Sequence, residues 1–354
     1  MPTIEAVRDK LSKPIPLGYC NAGTVIDVGE GVHGLKPGDH VVSNGPHAEA
    51  VCVPQNLCAK VPDALFEASE DADAAFRQAA FTVLGAVALQ GVRLAQPTIG
   101  ETFAVTGLGL VGQLAVQILR ANGCRVVGID LQSDRVELAE RFGAEGVDAG
   151  AGQDPVATAQ ELTGGRGVDG VLLTAATKSS EPVHQAAQMC RKRGRIVLVG
   201  VTGLDLSRDD FYEKELSFQV SCSYGPGRYD RNYEDKGQDY PYGFVRWTAQ
   251  RNFESVLQLM AEGKLDVAPL ISREVEIDEA PSVYEKLAEG EAGMGTIITY
   301  PGAEETERDV TVGLSEPQPR ATEATEPVVG VIGAGNFATR TILPLLKKFG
   351  VRLK

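Results

Sequence analysis

The sequence predicts an α/β protein in which a doubly wound parallel sheet is accompanied by part of a small β-barrel. Three observations lead there. Strand-like and helix-like stretches alternate from about residue 102 to 262, which implies a parallel sheet covered by helices on both faces. Gly107, Gly109 and Gly112 fall where a short apolar strand must turn sharply into a helix. Ahead of them, residues 1–97 hold several short apolar runs divided by turns, the spacing of a barrel rather than of a layered sheet.

The first segment opens with a short helix and then Pro14-Ile15-Pro16-Leu17-Gly18. Residues 25–28, 41–43 and 48–53 read as strands, separated by turns at Gly29-Glu30-Gly31 and Lys36-Pro37-Gly38-Asp39. Residues 65–74 are acidic and alanine-rich, and they lead into a helix predicted from about 78 to 94.

The strand at 103–106 runs into the glycines. Gly107 permits the tight turn, Gly109 lets a pyrophosphate approach the backbone, and Gly112 lets the helix pack closely on the strand. Leu110 and Val111 open that helix, whose first N–H groups face the phosphates. Apolar residues recur at helical spacing at Val111, Leu114, Ala115, Ile118 and Leu119, and Asn122-Gly123 closes the helix. The next strand, 125–129, ends at Asp130, about twenty residues past the glycines, where a carboxylate accepts both ribose hydroxyls of an adenosine. The implied cofactor is NAD rather than NADP, because Asp130 repels a 2′-phosphate. Further strands follow at 168–174, ending in Thr174, a candidate cofactor contact, and at 195–199 and 216–222.

After Gly263 come a strand at 271–275, a helix at 277–289 and a strand at 295–300. Residues 301–327 are rich in Glu, Thr and Pro, the composition of a flexible linker. Beyond them a second strand runs into Gly-x-Gly-x-x-Ala, with glycines at Gly333 and Gly335, followed by an amphipathic helix to about 349. The chain stops as the next strand is due to begin.

Across 354 residues the formal net charge is −14, which disfavours nucleic acid or an anionic membrane surface as partner. The longest apolar run, near 79–89, is too short to span a bilayer, and no basic start precedes an apolar core, so a cytoplasmic protein is expected. Six cysteines without Cys-x-x-Cys spacing are expected as reduced thiols.

The run Gly18-Tyr19-Cys20-Asn21-Ala22-Gly23, then Val28-Gly29-Glu30-Gly31, Pro37-Gly38-Asp39, Ala48-Glu49 and Val53-Pro54, resembles the medium-chain dehydrogenase/reductase superfamily, its alcohol and polyol dehydrogenase group. The resemblance implies a Rossmann domain joined to a GroES-like catalytic barrel. It divides the chain into a partial GroES-like domain (1–97), an NAD-binding Rossmann domain (98–266), a return to the catalytic domain (267–300), a linker (301–327) and a truncated second Rossmann start (328–354). That last stretch is similar to the opening of the glucose-fructose oxidoreductase family. A fusion of the two families implies a sugar or nucleotide-sugar substrate, in polysaccharide biosynthesis. Self-association is compatible with the resemblance.

Departures from the family are equally informative. Its zinc members carry His where Tyr19 stands. A further ligand would fall near residues 82–85, where there is no Cys, His or carboxylate, so no metal is expected. The oxygen undergoing hydride transfer then needs hydrogen-bond donors. Tyr19 is the candidate donor and His47 the candidate proton relay, with a packed tyrosine and an ordinary loop histidine as the plain alternatives. Asn44 and, in the aromatic-rich stretch after the last sheet strand, Tyr224 and Arg228 are candidate substrate contacts. The resemblance also gives Arg135 a place beside the ribose, and Gly200 and Val201 a place beside the nicotinamide carboxamide. Enoyl or quinone reduction and a non-catalytic cofactor-binding module stay open beside alcohol oxidation. The family carries further barrel residues ahead of the position of Leu17, so this chain reads as a fragment of a longer fusion, with hydride transfer by itself poor.

Overall fold

The computed structural model describes residues 16–288 and 293–301, with 328–329, 338, 342–349 and 352–353 beyond them. In the first segment β1 (Asn21–Thr24), β2 (His40–Ser43) and β3 (Cys58–Lys60) form an antiparallel sheet in that order. The strand predicted at 25–28 lies earlier, at β1. The Asp27 carboxylate accepts the N–H of Val28, which turns the chain there and leaves Ile26 exposed. No strand forms at 48–53, where the chain bends, and β3 instead takes the second edge of β2. Three helices follow, α1 (Asp63–Ala68), α2 (Ala72–Ala79) and α3 (Thr82–Ala95). The single helix predicted at 78–94 is thus two, bent by 41°, where the Thr82 hydroxyl donates to the Ala79 carbonyl.

The chain then alternates through β4 (Thr102–Thr106), α4 (Leu110–Ala121), β5 (Arg125–Asp130), α5 (Ser133–Arg141), β6 (Glu145–Asp148) and α6 (Pro155–Leu162). It continues through β7 (Val168–Leu173), α7 (Glu181–Met189), β8 (Cys190–Leu198), α8 (Arg208–Tyr212) and β9 (Ser217–Val220). These strands form one six-stranded sheet in the order β6-β5-β4-β7-β8-β9, every pair parallel. This is the doubly wound Rossmann order. The direction of winding reverses between β4 and β7, and the crevice outside their carboxyl ends is where such sheets take ligands. Because helices cover both faces, β4 is buried at every residue and carries Phe103, Ala104 and Val105 without polar alternation. Each fully buried large apolar side chain of this kind contributes about 1.5–3 kcal/mol. The helix α3 lies so close to its neighbours that a methyl at Gly85 would stand 2.6 Å from the Val256 side chain, and one at Gly91 would stand 2.4 Å from Val199.

After β9 come α9 (Arg231–Glu234), α10 (Ala249–Ala261), β10 (Ile271–Glu276), α11 (Ala280–Ala288) and β11 (Gly295–Thr299). The last two strands pair parallel with each other rather than extending the barrel sheet. Their segment nevertheless touches the first one: Arg77 bridges to Glu274 at 3.3 Å, and a methyl at Gly295 would lie 3.1 Å from the Phe81 ring. Contacts divide the chain into Met1–Tyr300 and Pro301–Lys354. In the second unit β12 (Val328–Val329) pairs parallel with β13 (Arg352–Leu353), and α12 spans Leu343–Lys348. The strand that the sequence reading left unstarted therefore does begin. Residues 302–327, Gly333, Gly335 and the opening helix of the chain lie outside the described residues. No single described helix is long and apolar enough to cross a membrane.

Candidate active site

At the carboxyl end of β4 the glycines do three different jobs. Gly107 has φ +97° and runs so close to the Ala175 backbone that a Cβ would stand 2.5 Å from its nitrogen. A Cβ on Gly112 would lie 2.0 Å from the Gly107 carbonyl oxygen, so this glycine lets α4 enter the turn. Gly109 is different: a Cβ there would meet nothing within 4 Å. It caps α4 without a side-chain bond, and among the described residues the N–H groups of Leu110, Val111 and Gly112 have no acceptor. Open space in front of bare helix N–H groups fits a pyrophosphate.

Asp130 ends β5 and holds this loop shut, accepting the Leu108 N–H at 2.6 Å and the Gln132 N–H at 3.0 Å. A carboxylate has about four acceptor sites, so capacity remains for ribose hydroxyls. Arg135 reaches Asp130 at 3.9 Å. The Thr174 hydroxyl donates to the Gly107 carbonyl at 2.5 Å, so its role is to tie the turn to β7. Gly200 passes against Ala175, where a Cβ would be 2.3 Å from the carbonyl. The Val201 backbone is already paired, to Ala175 and Thr177, while its side chain is 71% exposed. Near these strand ends the hydroxyls of Thr106, Thr202 and Ser221 are buried without a partner. They lie near the ends of different strands of the sheet, and the sequence alone did not display them.

On the barrel side, the carbonyl of Tyr19 accepts from the Asn44 side chain at 3.0 Å. The Tyr19 phenol makes no hydrogen bond among the described residues and is raised above its usual pKa by burial and then by Cys20. His47 packs its ring over Gly18, where φ is +80° and any Cβ would overlap the imidazole. Its Nδ1 lies 2.8 Å from the hydroxyl of Tyr284 on α11, and burial lowers its pKa, which keeps the ring neutral. Tyr284 was invisible to sequence reasoning, since nothing local marks a tyrosine as the partner of a histidine so distant in the chain.

The aromatic stretch after β9 departs from expectation. Tyr224 is only 2% exposed, with its hydroxyl 3.3 Å from the Asn44 side-chain oxygen and 3.4 Å from Glu234. Arg228 is held by the same Glu234 at 2.7 Å. Tyr224 therefore braces Asn44 from behind instead of lining a cleft, and Arg228 joins that brace through Glu234. Tyr233 is fully buried, its hydroxyl donating to the Asn56 carbonyl and its own carbonyl accepting from the Asn56 side chain, and Tyr240 stacks on it. The stretch is built mainly as an inter-segment brace, because its polar groups are satisfied inward.

A zinc ion does not fit the donors present. Among the described residues no group of three His, Cys, Asp or Glu side chains converges. Cys20 stands beside Leu84 on α3, whose backbone N–H it accepts, and burial pushes its thiol up to about 12.

Residues 3–63 match the description "Alcohol dehydrogenase GroES-like domain", and residues 111–235 match "Zinc-binding dehydrogenase". The (R,R)-butanediol dehydrogenase of Bacillus subtilis is 28% identical over 296 residues, covering 75% of each chain. Among solved structures, the alcohol dehydrogenase TADH from Thermus sp. ATN1 superposes with a TM-score of 0.64 at 23% identity, over 85% of this chain and 89% of that one. Galactitol-1-phosphate dehydrogenase from Escherichia coli gives 0.63 at 23% identity, over 79% and 83%. At such identities the superpositions establish a common fold.

Proposed function

We propose that this chain, an NAD(P)-dependent oxidoreductase of the medium-chain, alcohol-dehydrogenase-like kind, uses NAD to oxidise a secondary hydroxyl of a sugar or another polyol. The observation that carries the cofactor reading is the open Gly109 cradle, set before bare N–H groups of α4 and closed by Asp130. Asp130 favours NAD by repelling a 2′-phosphate, and Arg135, beside that carboxylate, contacts the ribose. A diol is named by the butanediol dehydrogenase relative, and the sugar class adds the resemblance of residues 328–354 to the glucose-fructose oxidoreductases. The same resemblance carries the proposal of a fusion protein serving polysaccharide biosynthesis.

When bound, the oxidised nicotinamide supplies the hydride acceptor. The Tyr19 phenol, free of other bonds, donates to the substrate oxygen, a contribution of about 3–4 kcal/mol to the barrier. Neutral His47 receives the alcohol proton, and the Tyr284 hydroxyl at Nδ1 fixes its ring. Asn44 positions the Tyr19 backbone, and Tyr224, Arg228 and Glu234 hold Asn44. The proposed mechanism is metal-free, since the described residues gather no group of three His, Cys, Asp or Glu side chains.

Calorimetric titration of NAD and NADP, followed by turnover assays on sugar nucleotides, free sugars and simple diols, tests the reading. NAD should bind at least about tenfold tighter than NADP, and one of these hydroxyl classes should turn over. Turnover of quinones or enoyl substrates with NADPH would replace it with a reductase. Bound NAD that no substrate reduces would leave a non-catalytic module.

A further inference from the structure

We propose that a cavity on the helical layer, separate from the cofactor crevice, binds an organic carboxylate with an apolar body. The cavity, of about 370 Å³, lies between α3, α4 and α10. This falls within the range of roughly 300–1,000 Å³ usual for small-molecule sites. Its floor is Leu89 and Val92 from α3, Ile118 from α4 and Leu259 from α10. Ile118 belongs to the carboxyl-terminal end of α4, whose other end opens on the glycine cradle, so roughly 12 Å of helix separates the two sites.

The polar rim is one-sided. Arg93 and Lys264 line the cavity, and no Asp or Glu does. Lys264 is already paired with Glu262 at 2.6 Å. Arg93 is not: its Nε donates to the Asn252 side chain at 2.8 Å and one terminal nitrogen to the Ser255 hydroxyl at 3.3 Å, both neutral acceptors. Among the described residues its other terminal nitrogen has no acceptor, and no carboxylate forms an ion pair with it.

Trp247 pins the guanidinium in place. The Cζ of Arg93 stands 3.3 Å from the indole centroid and that of Arg246 stands 3.6 Å from it. Two such groups cannot share one face at those distances, so the indole is sandwiched between them. Burial and then the charge of Arg246 push Arg93 down to about 10. Glu254, raised by burial, feels the charges of Arg251 and Arg246. In a chain of net charge −14, a half-buried cation left without a carboxylate is short of an anion. A ligand carboxylate takes the open guanidinium edge, and its ring or short chain covers the aliphatic floor.

Trp247 is the chain's one tryptophan, so its fluorescence reads the site directly. The unmodified chain is titrated with benzoate and octanoate, and with benzamide and octanamide, at constant ionic strength. At least one carboxylate should change the emission saturably, and its amide should bind at least about tenfold more weakly. Arg93→Met, which keeps the stem, should weaken the carboxylate by the same factor and leave NAD affinity unchanged. Emission unchanged up to about 10 mM of both acids, equal response to acid and amide, or inorganic phosphate binding as tightly as the carboxylates would each overturn the proposal. The acid-against-amide comparison needs no variant, so it decides even if Arg93→Met does not fold.

Discussion

Gly109 has ordinary extended backbone, φ −69° and ψ −171°, and nothing occupies the space beside it. The fold therefore does not require a glycine there; the proposed pyrophosphate contact does. Gly109→Ala is expected to melt with the parent while losing about tenfold or more of its NAD affinity, checked by thermal melts beside calorimetry. Gly112→Ala should behave in the opposite way, because its methyl would stand 2.0 Å from a backbone oxygen. A loss of about 1–3 kcal/mol in a denaturant melt is expected, from overpacking. If the two variants melt alike, the division of labour among the glycines is wrong. At Asp130 fold and proposed function are fused, since the carboxylate proposed to meet the ribose also holds the Leu108 N–H.

Among the elements, the stretch between β9 and α10 decides how the barrel segment meets the sheet. Asn56 donates to the Tyr233 carbonyl at 2.9 Å, and both residues are buried. Asn56→Ala leaves that carbonyl unsatisfied and should cost about 1–3 kcal/mol by chemical denaturation, whereas a change under about 0.5 kcal/mol would make the brace ornamental. A second element-level effect concerns α7 and α8, joined by His184 and Asp210 at 2.5 Å. The hydrogen bond to Asp210 raises the histidine's pKa above its usual 6.5. A raised histidine contributes stability that is fully present below the unfolded value and lost as pH rises through the folded one. The melting-temperature gap between the parent and His184→Gln should thus be widest below pH 6.5 and close on the alkaline side. A gap that widens with pH would contradict the pairing. His47, lowered by burial, acts in the opposite sense, its contribution fading as pH falls below 6.5.

At the scale of the molecule, every group assigned here to cofactor, substrate or cavity belongs to Met1–Tyr300. A chain ending at Tyr300 is expected to bind NAD with unchanged affinity and to melt within about 2 °C of the full chain. Loss of binding on that truncation would show that residues 301–354 contribute to the site. Metal analysis of either chain should find far less than one zinc per chain, and chelators should leave turnover unchanged. Stoichiometric zinc would overturn the assignment of the substrate oxygen to Tyr19.

What the sequence determined by itself is what short-range physics writes into it. A strand buried on both faces must be continuously apolar, a sharp strand-to-helix turn must use glycine, and a ribose-binding acid must end the next strand. All three requirements fall within about thirty residues, from Thr102 to Asp130, and there the expected strands, glycine turn and terminal acid coincide with the structure. The displaced β1 shows the limit of the same logic: an apolar run says that a strand is affordable, and only the free edge of a neighbour says where it forms. The rest was decided by tertiary structure. The Tyr284 hydroxyl beside His47, the Tyr224 hydroxyl between Asn44 and Glu234, and Tyr233 inside rather than on a cleft wall all join residues far apart in the chain. A tyrosine's composition is the same whether its hydroxyl meets a substrate or a buried amide. Which of these it meets depends on the surface that folding brings opposite it, and no local pattern records that surface.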